Sequence, residues 1–305
     1  MVSGLQNVTG FHDGELAVQD RAGVRAQAAR LAGMLARPTL DGGKGAFLAE
    51  RDFAVIAGRD EERRLWTSPL FAEPGFLDAH DTTLQIHAIP ADGDPLSGMP
   101  PGQPIGLLAI EFATRRRMRI NGTLTRTDGQ GLDIAVEQAY GNCPQYIQQR
   151  HLEHTDGAKQ ASQVSRAKSL AVNDIEQISR ADTFFLGTAH PTRGADASHR
   201  GGSPGFVRIE GDTLWWPDYP GNNMFNSLGN LAVDDTAALL FVDFDSGRTI
   251  QLSGTASVEW TQPGARGDDG MTGRRVRFGI EHVATAILDL RSDRPVLSPY
   301  NPPIS

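Results

Sequence analysis

Short apolar runs separated by turn residues dominate the chain from residue 46 onward. Up to about residue 136 they include AFLAERDFAVIAGRD, TTLQIHAI and IGLLAIEF, each bounded by Gly, Pro or Asp. A second series begins with FFLGTAHP and continues to RRVRFGIEHV. Runs of this length, alternating in places with polar residues, are typical of antiparallel strands. The pattern therefore predicts a mainly β protein with two β-rich blocks, each an antiparallel barrel or sandwich.

Helical spacing is limited to a few stretches between these strands. In residues 14–37 apolar residues recur at near-helical intervals, which predicts an amphipathic helix interrupted at Gly23. Residues 141–150 are predicted to form a short helix because Pro144 falls in its first turn. Two more helices are predicted, over residues 173–179 and within NNMFNSLGNLAV. These helices would flank the two β-rich blocks.

The two blocks contain related sequences. Residues 104–123 align without a gap with residues 236–255, and both segments read as a strand, a turn and a strand. Shared turn residues in a gap-free match favour a duplicated barrel domain that packs as an internal pseudo-dimer. The predicted organisation is a helical segment over residues 1–45, a first barrel over 46–150, a linker with a helix over 151–180, and a second barrel over 181–305.

Composition narrows the function classes. The formal net charge of −8 argues against a generic nucleic-acid binder, which usually presents a basic face. Cys143 is the only cysteine, so a disulfide framework and a cysteine-rich metal site are excluded. No apolar run approaches the length of about 20 residues that spans a bilayer, and the N-terminus lacks the features of a secretory signal. A cytoplasmic protein without membrane contact is therefore expected.

The most informative chemistry lies between residues 197 and 230. SHRGGSPGFVR places Ser198, His199 and Arg200 beside glycines, which let backbone N–H groups approach an anion closely. WWPDYPGNNMFNSLGNL then places aromatic residues and asparagines ahead of a predicted helix, whose N-terminus could seat a phosphate. An anionic planar ligand such as FMN fits this pattern. A structural turn followed by an ordinary capped helix fits it equally well.

Five motifs in one order make the chain resemble the pyridoxamine-phosphate-oxidase-like, flavin-nucleotide-binding split-barrel family. The resemblance covers nearly the whole chain. Within the family, the sequence is similar to the branch whose members have two barrel-like halves. The motifs are FHDGELAVQDRAGV (residues 11–24), LLAIEFATRRRMRING (107–122), YGNCPQYIQQR (140–150), SHRGGSPGFVRI (198–209) and PDYPGNNMFNSLGNL (217–231).

The resemblance implies a fold, a cofactor and a set of binding residues. The implied fold is two related six-stranded split β-barrels with flanking helices, and the implied cofactor is FMN in the groove between barrels. The residues implied to hold the flavin ring and ribityl chain are Ser198, His199, Arg200, Gly201 and Gly202. Those implied to line the phosphate end are Trp216, Pro217, Asp218, Gly221, Asn222 and Asn223, with Thr249 and its neighbour Arg248 on a later strand.

Two departures from the family pattern matter. Oxidases of the family carry Arg or Lys at the phosphate-binding turn, where this chain has Asn222 and Asn223. Arg200, backbone amides or an arginine of the first barrel would then neutralise the phosphate. Arg115, Arg116, Arg117 and Arg119 are candidates, although a solvated hairpin explains them as well. The C-terminal LRSDRPVLSPYNPPIS lacks the pattern that binds pyridoxal phosphate, so oxidation of that vitamin is not expected.

The resulting hypothesis is an FMN-dependent oxidoreductase with a small-molecule substrate or an electron donor and acceptor. His199 is the best candidate for a catalytic acid because it is the only histidine within a ligand-binding motif and is expected to titrate near neutrality. The alternative is a non-catalytic flavin-binding or electron-transfer module that works with a ferredoxin-type or reductase partner. Haem or a deazaflavin in the same groove is a weaker third hypothesis. A homodimer or an internal pseudo-dimer is expected, without a metal site.

Five further residues have open roles. Trp66 and Arg64 either wall the flavin or fill a barrel, and His12 and Glu15 either close over the site or cap the first helix. Cys143 is interpreted as a redox thiol or, more simply, as a packed small residue.

Overall fold

The computed structural model describes residues 10–36, 38–154 and 164–304, and these residues are mainly β structure with a few short helices. The helices are α1 (Asp13–Arg21), α2 (Arg25–Ala29), α3 (Gly43–Ala49), α4 (Val172–Arg180) and α5 (Asn226–Leu231), with a 3₁₀ turn at Ala32–Leu35. No helix in these ranges is long and apolar enough to span a membrane.

The first half of the chain forms one antiparallel sheet. Its strands are β1 (Phe53–Arg59), β2 (Leu65–Phe71), β3 (Leu77–His80), β4 (Thr83–Ile86), β5 (Pro104–Glu111), β6 (Arg116–Thr127) and β7 (Leu132–Gly141). They lie in the order β2-β1-β5-β6-β7-β4-β3. Strand β8 (Leu152–His154) follows and belongs to a separate two-stranded sheet with β17 (Leu290–Ser292).

The second half forms a second antiparallel sheet. It contains β9 (Ser165–Ala167), β10 (Thr183–His190), β11 (Gly194–Gly201), β12 (Arg208–Glu210), β13 (Thr213–Pro217), β14 (Thr236–Val242), β15 (Arg248–Trp260) and β16 (Arg274–Ile287). The main path runs β11-β10-β14-β15-β16-β13-β12, and β9 pairs with β16. Matched in chain order, the two main paths have the same strand order. Each has seven strands, one more than the six that the family resemblance implies.

The repeated sequence corresponds to one hairpin in each sheet. Residues 104–123 cover β5 and the first part of β6, and residues 236–255 cover β14 and the first part of β15. The pairing register shifts at Asn121/Gly122 in β6 and at Ser253/Gly254 in β15, which are equivalent positions in the gap-free alignment. Irregularities at matched positions are expected where two segments share one structural plan.

The two sheets pack on each other reciprocally. Strand β11 contacts β5 and β6, and its counterpart β2 contacts β14 and β15. This exchange of equivalent contacts is the pattern of an approximate two-fold axis. One apolar cluster spans both halves and includes Phe53, Leu108, Phe185 and Leu240, while each half also has a core of its own. The two sheets are therefore joined by an apolar core to which both halves contribute.

Helix predictions had mixed outcomes. The interruption at Gly23 is confirmed, since that glycine has a φ of +70° between α1 and α2. The helix predicted over residues 173–179 is also confirmed as α4. The helix predicted over 141–150 is wrong. Tyr146 has a φ of +66°, which a right-handed helix does not allow, and the segment instead crosses towards the second half.

Candidate functional site

A solvent-accessible pocket lies between the two halves and contains about 650 Å³ of space, part of it open to solvent. The second half contributes the end of β11, the end of β13 and the turn that follows it. The first half contributes β6 and the segment after β7. The residues that line this pocket include Arg117, Arg119, Asn142, Cys143, Tyr146, His199, Arg200, Gly201, Phe206, Trp216, Pro217, Tyr219, Gly221 and Asn222.

A smaller pocket of about 390 Å³ continues from the first towards α5. The two share Arg119, Arg200, Tyr219, Gly221 and Asn222, so they form one groove. We call it the cationic groove. Its aromatic end contains Tyr146 and Tyr219, whose ring centroids are 5.0 Å apart, together with Phe206 and Trp216.

The strand period explains which arginines of the first half reach this groove. Arg117 and Arg119 are two residues apart in β6 and therefore point to the same face of the strand. Arg116, the residue before Arg117, points to the other face, and its guanidinium lies 4.9 Å from the Phe47 ring centroid. Arg115 donates to the Ile147 carbonyl outside the groove. Arg117 and Arg119 thus belong to the wall of the groove, whereas Arg115 and Arg116 belong to the hairpin outside it.

The groove carries more positive than negative charge. Arg119 is paired with the buried carboxylate of Asp196 at 3.0 Å. Arg200 lies 3.7 Å from Asp218, which also binds Arg274 at 2.9 Å. Arg117 donates only to His199 and to a backbone carbonyl among the described residues.

Arg117 shows the effect of this crowding most directly. Burial, and after it the neighbouring charges of Arg119 and Arg200, lower its pKa to about 9. The guanidinium is still charged at neutral pH. An anion in the groove would relieve the repulsion among the three arginines.

Several polar atoms of the lining residues have no hydrogen-bond partner within the described part of the chain. They are Nε of Arg117, Arg119 and Arg200, Nδ2 of Asn142, Nε2 of His199 and the hydroxyl of Tyr219. Buried donors are nearly always satisfied in folded proteins. All six are able to donate, so the missing partner is a ligand or solvent rich in acceptor oxygens. The residues present therefore fit a bound anion.

His199 has a defined protonation state. Arg117 Nη1 lies 3.0 Å from His199 Nδ1, and because a guanidinium can only donate, Nδ1 must accept. The single ring proton then sits on Nε2. Burial lowers the pKa of His199 well below its usual value, and the charges of Arg117, Arg150, Arg200 and Arg119 add to this. The expectation that His199 titrates near neutrality is wrong, and the side chain is a neutral donor at pH 7.

Most of the binding residues predicted from the sequence line the groove. His199, Arg200, Gly201, Trp216, Pro217, Gly221 and Asn222 line the larger pocket, and Asp218 and Asn223 line the smaller one. Ser198 and Gly202 line neither. The Ser198 hydroxyl donates to the Leu186 carbonyl, and a Cβ on Gly202 would lie 2.6 Å from the Phe206 ring. These two residues shape the strand beneath the groove.

Arg248 and Thr249 lie outside both pockets. Arg248 binds Asp174 and Gln177 of α4, and the Thr249 hydroxyl donates to the Ala286 carbonyl. In the repeat alignment, the first-half counterpart of Thr249 is Arg117, which does line the groove. The groove takes β6 from one half and β11 from the other, so Arg117 rather than Thr249 lies at its wall.

The expected asparagine cap of this helix is wrong. Helix α5 has six residues, its N-cap is Phe225 with a φ of +60°, and no side chain caps it. The Asn222 side chain instead accepts from the Met224 N–H upstream of the helix. The positive charge of the groove therefore comes from its arginines, and the first turn of α5 lines the smaller pocket without a side-chain cap.

The remaining candidates lie away from the groove or at its edge. Trp66 donates to Asp60, which also pairs with Arg64, so both predicted wall residues belong to the first half's own structure. His12 and Glu15 form a capping box at the start of α1. Cys143 lines the groove, and Arg117 donates to its carbonyl.

Sequence reasoning missed the two tyrosines. Tyr146 was placed in a helix that does not form, and Tyr219 lay within a quoted motif without being singled out. The Tyr146 hydroxyl donates to the Pro220 carbonyl across the groove. An aromatic residue between Asp218 and Pro220 was the available signal.

Comparison with known proteins finds a family match for part of the second half. Residues 171–277 match the family described as Pyridoxamine 5'-phosphate oxidase, so the resemblance inferred from the motifs is confirmed over that range. The curated proteins contain no match to the chain.

Solved structures similar to part of the chain have low identity. HupZ from Group A Streptococcus is 13% identical, covering 37% of this chain and 90% of its own, with a TM-score of 0.29. A Clostridium acetobutylicum protein related to general stress protein 26 is 13% identical, covering 40% and 92%, with a TM-score of 0.28. The FAD binding protein from Mycobacterium smegmatis is 9% identical, covering 41% and 100%, with a TM-score of 0.28. At these values they say nothing about the ligand of this chain.

Proposed function

We propose that the chain binds FMN in the cationic groove and acts as a flavin-dependent oxidoreductase. The observation that carries the proposal is the set of three arginines, drawn from both halves, whose unpartnered N–H groups belong to the wall of one groove. A phosphate-bearing ligand supplies both the negative charge and the acceptor oxygens that these groups lack. The family match over the second half supports the choice of a flavin nucleotide.

The two ends of the groove suit the two ends of such a ligand. Arg119 and Arg200 line both pockets and would neutralise the phosphate in place of the basic residues that Asn222 and Asn223 replace. Trp216, Phe206 and the paired tyrosines offer flat apolar surface for a ring system and would exclude water from it.

The chain's own residues would position the ligand rather than exchange protons with it. A bound flavin supplies hydride or electron transfer. Arg117 fixes the ring of His199, and the unpartnered His199 Nε2–H would donate to an acceptor atom of the ligand. Asp196 and Asp218 are both engaged by arginines. His199 is therefore assigned as a hydrogen-bond donor, not as a general acid.

The state of His199 favours a second candidate function. Because the buried imidazole is neutral at pH 7 and acts only as a hydrogen-bond donor, the groove also fits a non-catalytic flavin carrier or electron-transfer module that serves a separate ferredoxin or reductase. The non-catalytic module and the oxidoreductase would bind flavin in the same groove, and only the oxidoreductase would turn over a substrate.

We also propose that each half is a split barrel and that the pair is an internal pseudo-dimer produced by duplication. The common strand order and the matched register shifts support this proposal.

The first experiment is a visible absorption spectrum of the purified protein, followed by mass analysis of the released ligand. A flavin spectrum with released FMN supports the proposal, and release of FAD, a deazaflavin or haem identifies a different ligand for the same groove. A colourless protein that takes up none of these on addition contradicts it. Turnover of NADH or NADPH with quinone or dye acceptors then separates the oxidoreductase from the module.

A further inference from the structure

The two-fold relation between the halves gives the cationic groove a counterpart. The groove forms where β11 of the second half meets β6 of the first. By the same relation β2 of the first half meets β15 of the second, and these strands are in contact. A groove that lies off a two-fold axis is generated twice, so the residues at the second position can be compared one by one with those of the first.

The repeat alignment identifies the counterparts on β6 and β15. Thr249 stands where the first groove has Arg117, and Gln251 stands where it has Arg119. A hydroxyl and an amide therefore replace two guanidinium groups.

The pairing registers identify the counterparts on β11 and β2. Strand β2 pairs with β1, which pairs with β5 of the repeated hairpin, and β11 pairs with β10, which pairs with β14. Equivalent residues of β2 and β11 can therefore be found by following the pairing across each sheet. Pro69 stands where the first groove has His199, and Leu70 stands where it has Arg200. Arg117, Arg119, His199 and Arg200 thus each have an uncharged residue of a different kind at the equivalent position.

The counterpart also has its polar groups bound within the chain. The Gln251 amide nitrogen donates to Ser68 Oγ at 2.9 Å, to Asp94 Oδ2 at 3.0 Å and to the Thr67 carbonyl at 3.2 Å. Asp94 is a buried carboxylate that also accepts from Ser68. Burial raises the pKa of Asp94, and neither form of this carboxyl group offers an anion a positive charge, whereas three arginines in the first groove attract one.

Apolar packing fills the remaining space. Leu70 and Ile86 are 1% and 0% exposed, and Ala284 of the second half joins the same core cluster with Val164 packed against it. By contrast, the Arg200 side chain is 24% exposed in the cationic groove. We call this region, formed by Pro69, Leu70, Thr249 and Gln251, the counterpart joint.

We propose that the chain binds one flavin nucleotide, in the cationic groove, and that the counterpart joint is a sealed structural contact that binds none. The first half then contributes Arg117 and Arg119 to the site of the second half and has no site of its own. The choice of ligand rests on the proposed function, while the asymmetry rests on the two sets of residues alone.

Calorimetric titration of FMN into the full-length, ligand-free protein tests the stoichiometry. One FMN per chain is expected. Arg117→Thr, which installs the residue of the counterpart, should weaken binding by about tenfold or more because a charged donor is lost. Thr249→Val is the matched variant in the counterpart joint and should leave both stoichiometry and affinity unchanged. Two FMN per chain, or equal effects of the two variants, would overturn the proposal.

A crystal structure grown with sulfate separates this proposal from the proposed function. Sulfate at the arginines of the cationic groove and none at the counterpart joint supports the asymmetry. If the same protein takes up no FMN, the proposed flavin function is contradicted while the asymmetry stands. Sulfate at both positions, or at neither, would overturn the asymmetry.

Discussion

Arg200 links the two pockets of the cationic groove and has only a distant carboxylate at 3.7 Å. Its Nε has no partner in the described structure. Its charge is thus left for a ligand, whereas that of Arg119 is largely matched by Asp196 at 3.0 Å. At the scale of single residues, Arg117 and Arg200 thus carry most of the positive charge that an anion could neutralise, and Arg119, already paired with Asp196, contributes less.

Arg200→Ala should weaken FMN binding by roughly 1.5–3 kcal/mol, the range for losing a hydrogen bond to a charged group. Fluorescence titration of FMN into the purified variant measures the loss. Arg248→Ala is the matched control, because Arg248 was also assigned to the cofactor from the sequence but binds Asp174 instead. Equal losses in the two variants would remove Arg200 from the site.

Glu15 and His12 make a buried pair at the start of α1 with opposite pH behaviour. Burial raises the pKa of Glu15 to about 7 and lowers the pKa of His12 to about 3. Between pH 4.5 and 7 the folded state holds a Glu15 proton that the unfolded state has lost, so this group makes stability fall as pH rises. Between pH 3 and 6.5 the unfolded state holds the His12 proton, so this group makes stability rise with pH.

Glu15→Gln should therefore remove one of two opposing slopes. The free energy of unfolding of the variant, relative to the native protein, should increase from pH 4.5 to 7 and then stay level. The slope should approach about 1.4 kcal/mol per pH unit, the value for one proton. Urea unfolding at several pH values measures it. A difference independent of pH would show that Glu15 does not keep its proton in the folded state.

Helix α1 packs on α5 at a point with no room for a side chain. A Cβ on Gly14 would lie 2.1 Å from the Gly229 carbonyl oxygen, and a Cβ on Gly229 would lie 2.5 Å from the Glu15 side chain. Glu15 also accepts from the Asn226 amide, which ties the two helices together. Because α5 follows directly on the turn that lines the groove, this helix contact supports the wall of the site.

Gly14→Ala should destabilise the protein by about 1–3 kcal/mol, since overpacking forces the backbones apart. It should also weaken FMN binding, because the shift is passed to the turn before α5. Thermal unfolding and FMN titration check both effects. Gly33→Ala is the matched control, since a Cβ there has nothing within 4 Å. A neutral Gly14→Ala would mean that the two helices are not held this closely.

Strand prediction was more successful than helix prediction, and the reason is local. Strands β5, β6, β14 and β15 were evident because apolar residues and turns alternate over short distances. The segment 141–150 was not, because its conformation depends on contacts with the second half, such as Gln148 Nε2 donating to the Gly202 carbonyl at 3.2 Å. Long-range partners of this kind leave little trace in a local pattern.

The whole molecule is held together by a core shared between its halves. Phe53 of the first half and Phe185 of the second have ring centroids 5.7 Å apart, and both are fully buried. Since neither half can bury this face by itself, the two should unfold together.

Phe185→Ala should lower the free energy of unfolding by about 3–5 kcal/mol, as expected for a buried phenylalanine. Urea denaturation followed by tryptophan fluorescence and circular dichroism should still give one coincident transition. Val233→Ala, at a position 47% exposed, should change stability little. Two separate transitions in the native protein would show that the halves are independent units.

The sequence by itself determined the strand content, the internal repeat and the stretch of the second half that carries most of the groove, because local patterning and direct alignment report on these. Only the tertiary structure decided which copy of a repeated position faces the cationic groove. Arg117 and Thr249 are equivalent in sequence, yet one lines the cationic groove and the other lies in the counterpart joint. The physical reason is that the groove forms between halves, so the chemistry of each position depends on the residues that the other half places opposite it.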